Sequence, residues 1–165
     1  MKRVVFLDRD GVLLDHGDPK HGHGGMIVPG AKTALDRLKD AGFDLVCVTN
    51  QPDIRAGKVD ANIVERVHHA LRRVLPLTEI IMCPHVETDN CKCRKPKPGM
   101  LLQVKDVDLP RSYMVGDRWS DVSAGNAAGC RTILIGTGYG ELFPIKPENR
   151  AADLATAVDI ILESA

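Results

Sequence analysis

Apolar runs of strand length alternate with stretches of helical periodicity along this chain, and that order restricts its architecture more than any other feature. VVFLD (residues 4–8) is a nearly continuous apolar run ending in acid, the pattern of a strand buried on both faces. Pro29 and Gly30 precede a stretch in which Ala31, Ala34, Leu35 and Leu38 share one helical face, and Gly42 ends it. FDLVCVTN (43–50), EIIMC (79–83), SYMVGD (112–117) and CRTILIG (130–136) read as further strands. Helical patterns separate them. One covers about residues 60–75, with Ile63, Val64, Val67, Leu71 and Val74 on the buried side; the others are MLLQVKD after Pro98 and residues 120–128. A brief AADLA extension precedes a last helix near residues 156–162. The expected fold is α/β, a Rossmann-like three-layer sandwich with a mostly parallel central sheet covered on both faces.

The 165 residues are expected to form one domain, 1–165, since the linkers are short and no internal repeat interrupts the pattern. A chain of that length buries roughly 70% of its unfolded surface. The 22 basic and 22 acidic residues balance, which gives no reason to expect nucleic acid or an anionic membrane as a partner. No apolar run approaches the roughly 18 residues of a membrane span. The opening MKRVVFLDRDG meets an acid at Asp8, too early for a signal-peptide core, so a cytoplasmic protein is expected.

In an open α/β sheet, ligands bind beyond the carboxyl ends of the strands. Four polar clusters fall at that edge: Asp8 with Asp10, Thr49 with Asn50, Cys83 and its followers, and Asp117 with Asp121. Carboxylates converging from Asp8 and Asp10 repel each other unless a divalent cation lies between them. Asp117, across the edge, would complete a hard oxygen site suited to Mg²⁺. The competing reading is an Asx-type turn with helix capping, Arg9 pairing locally.

Three of the five cysteines lie in residues 83–93, which reads better as metal ligation than as a disulfide framework. Cys83, His85, Cys91 and Cys93 offer three thiolates and an imidazole, a tetrahedral set for Zn²⁺. An oxidised pair or free thiols are the alternatives. Four protein ligands leave no open position, so such a zinc would be structural. Cys47 and Cys130 read as small buried hydrophobes.

DRDG after the first strand, TNQ after the second, KPKPG before a helix and GDRWSD after the fourth resemble the four motifs of the haloacid dehalogenase-like phosphatases. They stand in the same order, over residues 4 to about 135. The C-x-H…C-x-C-R-K-P loop and TNQPDIRAGK are similar to a narrower branch, subclass III, with the bacterial heptose bisphosphate phosphatases and the histidinol-phosphate phosphatases.

That resemblance implies that Asp8 attacks phosphorus to form an aspartyl-phosphate, while Asp10 protonates the leaving oxygen and later activates water. It implies that Thr49, the Asn50 backbone and Lys95 hold phosphoryl oxygens, and that Asp8, the Asp10 carbonyl and Asp117 hold Mg²⁺. Asp121, one helical turn past Asp117, would support it or a metal-bound water. Arg94, with its planar guanidinium, is expected in substrate recognition, and the zinc loop would clamp Arg94 and Lys95 at the pocket. Arg55 and Lys58 are candidates for the pocket mouth, against a solvated helix N-terminus; Gly57-Lys58 lacks the upstream glycines of a P-loop.

Residues 11–29 are too short for a cap domain, so loops would set specificity. GDPKHGHGGM (17–26) reads as a polar flap, with His16, His21 and His23 in or beside it. Trp119 either covers the pocket or packs beneath the next helix. Of His68 and His69, one would pack and the other face solvent, neither with a functional role. The expected activity is hydrolysis of a small phosphorylated sugar or alcohol by a monomer. KPKPGM looks closer to the heptose 1,7-bisphosphate 7-phosphatases. The five residues between His85 and Cys91 look closer to the histidinol-phosphate enzymes, the runner-up. A phosphotransferase and a catalytically silent binding protein on the same fold are the alternatives of other kinds.

Overall fold

A computed structural model describes residues 1–17, 25–137 and 146–165. Its elements alternate as the apolar pattern requires: β1 (Val4–Leu7), α1 (Ala31–Asp40), β2 (Asp44–Asn50), α2 (Pro52–Arg55), α3 (Ala61–Val74), β3 (Glu79–Cys83), α4 (Gly99–Gln103), β4 (Tyr113–Gly116), α5 (Trp119–Ala128), β5 (Arg131–Ile135), β6 (Asn149–Ala151) and α6 (Leu154–Glu163). Among the described residues the strands form one parallel sheet in the order β3-β2-β1-β4-β5-β6. The chain winds outward from β1 to β3, then returns to β4 on the other side of β1. That reversal leaves a crevice at the carboxyl ends of β1 and β4, where open α/β sheets hold ligands.

All four residues of β1 are buried, and their alternation divides the core. Val5 and Leu7 face one layer with Leu35, Leu38, Leu71 and Ile161 from α1, α3 and α6. Val4 and Phe6 face the other, with Met100, Leu101 and Ala124 from α4 and α5. Burying a side chain of this size stabilises the fold by about 1.5–3 kcal/mol. No insertion after β1 or β2 is long enough to form a separate cap domain.

The structure departs from the sequence pattern in places. A polar sixth strand, β6, pairs with β5 through Ile133–Asn149 and Ile135–Ala151. Backbone bonding supplies that edge, so no apolar run announces it. On α3 the buried positions are Val64, His68 and Leu71, whereas Val74 is 47% exposed, contrary to expectation. His69 is exposed. The helix after Pro98 stops at Gln103, short of the MLLQVKD stretch, and Asp106 lies at positive φ. Most of the expected flap, including His21 and His23, lies outside the described residues.

Candidate active site

Asp8 leaves β1 with its N–H donating to Val115 O of β4 at 3.0 Å, so its carboxylate sits over the crevice. Oδ1 of Asp8 accepts from the Arg9 N–H at 2.8 Å and from Lys95 Nζ at 2.9 Å. Lys95 is 3% exposed, and its ammonium also donates to Val48 O at 2.8 Å and meets Asp121 Oδ1 at 2.6 Å. A lysine has three N–H donors, and each has a partner here. Burial works against its charge, but the Asp121 and Asp8 carboxylates outweigh that cost and raise its pKa.

Asp8 is pushed up to about 6, by burial first and the Asp121 charge second, with Lys95 opposing. Asp117 is also raised, by burial and then by the Asp8 charge. Oδ2 of Asp117 meets His16 Nε2 at 2.9 Å, whereas its buried Oδ1 has no hydrogen-bond partner. Carboxylate oxygens of Asp8, Asp117 and Asp121 lie within 4.8 Å of one another. One ammonium beside three converging carboxylates leaves an excess of negative charge, and one buried carboxylate oxygen among them has no hydrogen-bond partner. A divalent cation bound by oxygen fits that donor set.

Asp10 points elsewhere. The buried Arg9 guanidinium grips both its oxygens, Nε to Oδ1 and Nη2 to Oδ2, each at 3.0 Å. Gln51 Nε2 donates to Asp10 Oδ2 at 3.0 Å and to Thr49 Oγ1 at 2.9 Å, tying the first motif to the second. The local pairing of Arg9 with Asp10 that the sequence allowed is therefore present, alongside the carboxylate cluster rather than instead of it.

Asn50 acts through its side chain. Its Nδ2 donates to Lys95 O at 3.0 Å and its Oδ1 accepts from Lys95 N at 3.1 Å. Asp121 has Lys95 and, through Oδ2, the Arg118 N–H at 3.0 Å as partners. A cavity of about 500 Å³ opens over these groups, lined among others by Asp8, Asp10, Arg94, Lys95, Arg118 and Trp119. Trp119 thus borders the cavity. Arg55 is not among its described lining residues; it is largely exposed and pairs with Asp89 at 3.5 Å.

In the cysteine loop, Cys93 Sγ lies 3.2 Å from Cys83 Sγ and 3.5 Å from Cys91 Sγ, and the Cys83–Cys91 pair is 3.6 Å apart. His85 Nδ1 is 3.5 Å from Cys83 Sγ and 3.3 Å from Cys93 Sγ. These separations far exceed the roughly 2.05 Å of a disulfide. They approach the edges of a tetrahedron whose centre lies about 2.3 Å from each sulfur. The set can hold a tetrahedral metal ion. Burial pushes Cys83 up to about 12; at Cys91 the Arg94 N–H and the neighbouring thiols overcome the opposing burial and lower it to about 6. Arg94 is tied to the loop, Nη1 donating to His85 O at 3.3 Å and the backbone N–H to Cys91 Sγ at 3.3 Å. Cys47 and Cys130 are buried, as expected.

Sequence reasoning did not find the roles of Gln51, His16 or the Asn50 amide. The TNQ motif held the first and last, but only the fold shows which atoms they reach. His16 reads with the polar flap, and nothing in the sequence ties it to Asp117.

The family model described as haloacid dehalogenase-like hydrolase matches residues 5–73, and the one described as HAD-hyrolase-like matches residues 92–159. The D-glycero-beta-D-manno-heptose-1,7-bisphosphate 7-phosphatase of Pseudomonas aeruginosa is 38% identical, over 84% of each chain. The enzyme of that name from Escherichia coli K12 is 37% identical, over 94% of this chain and 93% of its own. The crystal structure of D,D-heptose 1,7-bisphosphate phosphatase from Bordetella bronchiseptica, complexed with magnesium and phosphate, superposes with a TM-score of 0.82 at 33% identity, over 99% of each chain. With likeness of this extent in both sequence and fold, the chain belongs to the haloacid dehalogenase-like phosphatases, as a close relative of the D-glycero-D-manno-heptose-1,7-bisphosphate 7-phosphatase family.

Proposed function

We propose that this protein removes the 7-phosphate of D-glycero-D-manno-heptose 1,7-bisphosphate through an aspartyl-phosphate on Asp8. The observation that carries the reading is the contact of Asp8 Oδ1 with Lys95 Nζ at 2.9 Å, beside the partnerless Asp117 Oδ1. It supports the reading by bringing a carboxylate, a buried cation and a partnerless carboxylate oxygen to one strand edge.

Asp8, Asp117 and the Asp10 carbonyl would hold Mg²⁺, which would supply positive charge to offset the negative charge of the phosphoryl group. Asp8 attacks phosphorus as the bond to the sugar oxygen breaks, and Asp10 gives that oxygen its proton. Lys95, Thr49 and the Asn50 N–H take the charge that spreads over the equatorial oxygens. Asp10 then removes a proton from water, whose oxygen attacks phosphorus and frees Asp8 and inorganic phosphate. Asp121 keeps Lys95 charged and aimed. Arg94 recognises substrate beyond the transferred group.

Cys83, His85, Cys91 and Cys93 would hold a structural Zn²⁺, which fixes the loop carrying Arg94 and Lys95. Arg55, a candidate substrate contact at the pocket mouth, is linked to that loop through Asp89 at 3.5 Å. The unpaired cysteines favour a reducing, cytoplasmic setting. No described helix is long and apolar enough to cross a membrane. We take the active unit to be one domain, 1–165, working as a monomer.

The test is Mg²⁺-dependent phosphate release, compared as kcat/KM across heptose 1,7-bisphosphate anomers, histidinol phosphate and glycerol phosphates. Preference for the heptose bisphosphate by about tenfold or more supports the reading. Preference for histidinol phosphate replaces the substrate, and a wild-type rate for Asp8→Asn overturns the nucleophile.

A further inference from the structure

The guanidinium that grips the carboxylate proposed as acid and base is itself met by a residue 59 positions away that the mechanism does not use. Arg9 is 3% exposed and spends Nε and Nη2 on the two oxygens of Asp10. Its remaining terminal nitrogen, Nη1, lies 3.2 Å from Nε2 of His68, itself 5% exposed on the inner face of α3. A guanidinium only donates, so His68 Nε2 accepts and the ring is neutral with its proton on Nδ1. Burial, and then the Arg9 charge, lower the His68 pKa to about 4, consistent with a ring that accepts. The helical period that buries Val64 and Leu71 would favour an aliphatic residue at position 68. A polar ring there, with its acceptor on the guanidinium that grips Asp10, calls for a reason other than packing.

Geometry supplies one. A forked, two-bond grip orients a carboxylate only if the guanidinium plane is itself fixed. Residue 9 lies in the turn after β1, where its own backbone offers the far end of the side chain no anchor. His68 provides that anchor from α3. We propose that His68 is a positioning residue for the acid–base step: it holds the Arg9 guanidinium, whose fork sets the orientation of Asp10. His68 touches no reacting atom, and the inference rests on the reading of Asp10 as the acid.

Acid assistance matters most when the leaving group is a poor one, and kcat/KM reports the chemistry up to its departure. The experiment uses the full chain with Mg²⁺ and compares an alkyl phosphate with 4-nitrophenyl phosphate, whose phenolate leaves without help. For His68→Leu the expected loss in kcat/KM is about tenfold on the alkyl ester and less than about twofold on the aryl ester. His68→Gln, whose amide oxygen can accept from Nη1, should recover to within about threefold of wild type on both. If His68→Leu does not fold, His68→Asn, whose amide stops at the reach of ring Nδ1, takes its place. Equal losses on the two esters, no loss on either, or a Gln variant as poor as the Leu variant would each overturn the proposal. Asp10→Asn separates the two readings. A large loss confined to the alkyl ester upholds the acid role whatever His68 does, and an indiscriminate or absent loss removes that role itself.

Discussion

The side-chain amide of Asn50 closes a two-bond ring with the peptide group of Lys95, donating to its carbonyl at 3.0 Å and accepting from its N–H at 3.1 Å. The end of β2 thereby holds the backbone of the residue whose ammonium lies against Asp8. Cys83, paired with Asn50 across the β2–β3 register, begins the cysteine loop beside it. The loop and the carboxylate cluster are joined at this amide.

Asn50→Ala should therefore act through Lys95. Loss of both bonds is expected to cost about 1–3 kcal/mol in stability. It should also lower kcat by about 10–100-fold, because a shift of the ammonium weakens transition-state contacts. Urea denaturation and steady-state kinetics check the two effects. A kcat near wild type would show that the cysteine loop alone holds Lys95.

Gly11 stands at φ 87°, and a Cβ there would lie 2.1 Å from Asp117 Oδ2 and 2.6 Å from His16 Nε2. Gly11→Ala forces a left-handed residue, at about 1–2 kcal/mol, and drives the Asp117 carboxylate, proposed to hold Mg²⁺, out of place. The half-activating Mg²⁺ concentration should rise by about tenfold or more, within the 10–100-fold range seen when a ligand's support is removed. Titration of activity with Mg²⁺ measures it.

Cys93→Ser should reduce bound zinc from about one per chain to none, read by elemental analysis of the purified protein. Activity should fall by about 10–100-fold as Arg94 and Lys95 lose their anchor. The Mg²⁺ requirement should stay within about threefold of wild type, because Asp8 and Asp117 belong to other elements. Full activity without zinc would refute the clamp.

His68 makes stability depend on pH in a defined direction. Its folded pKa, about 4, lies below the ordinary value of 6.5, so between those values the unfolded chain binds the extra proton. The contribution is fully present above about pH 6.5 and is lost as pH falls toward 4. From pH 7 to pH 5 the loss attributable to His68 is about 2 kcal/mol. His68→Gln does not titrate, so its loss over that interval should be smaller by that amount in denaturant unfolding. Asp8 and Asp117 titrate in both proteins and cancel in the comparison.

What could be read from the residues were the order and polarity of the elements. Continuous apolar runs bounded by acids require parallel strands covered on both faces, and that puts Asp8, Thr49, Cys83 and Asp117 at one edge, whereas Lys95 is assigned to the site through the family resemblance. The cysteine loop was legible for the same reason: ligand chemistry is a property of residue type and spacing. Those inferences are local or topological, and a linear pattern carries them.

Only the tertiary structure decided which donor each acid receives. Asp121 and Asp117 are four residues apart, and helix spacing suggested that Asp121 supports Asp117 or a metal-bound water; their carboxylate oxygens do lie within 4.8 Å of one another. What the spacing does not give is that Lys95 Nζ reaches Asp121 Oδ1 from another element at 2.6 Å, while His16 Nε2 meets Asp117 Oδ2. Likewise nothing in α3 marks His68 as the partner of Arg9, because hydrogen bonds between distant residues depend on ångström-scale placement, which side-chain periodicity does not encode. Residue types and their period determined that an acidic, metal-ready crevice would form here; packing of the helices against the sheet decided how its charges are paired.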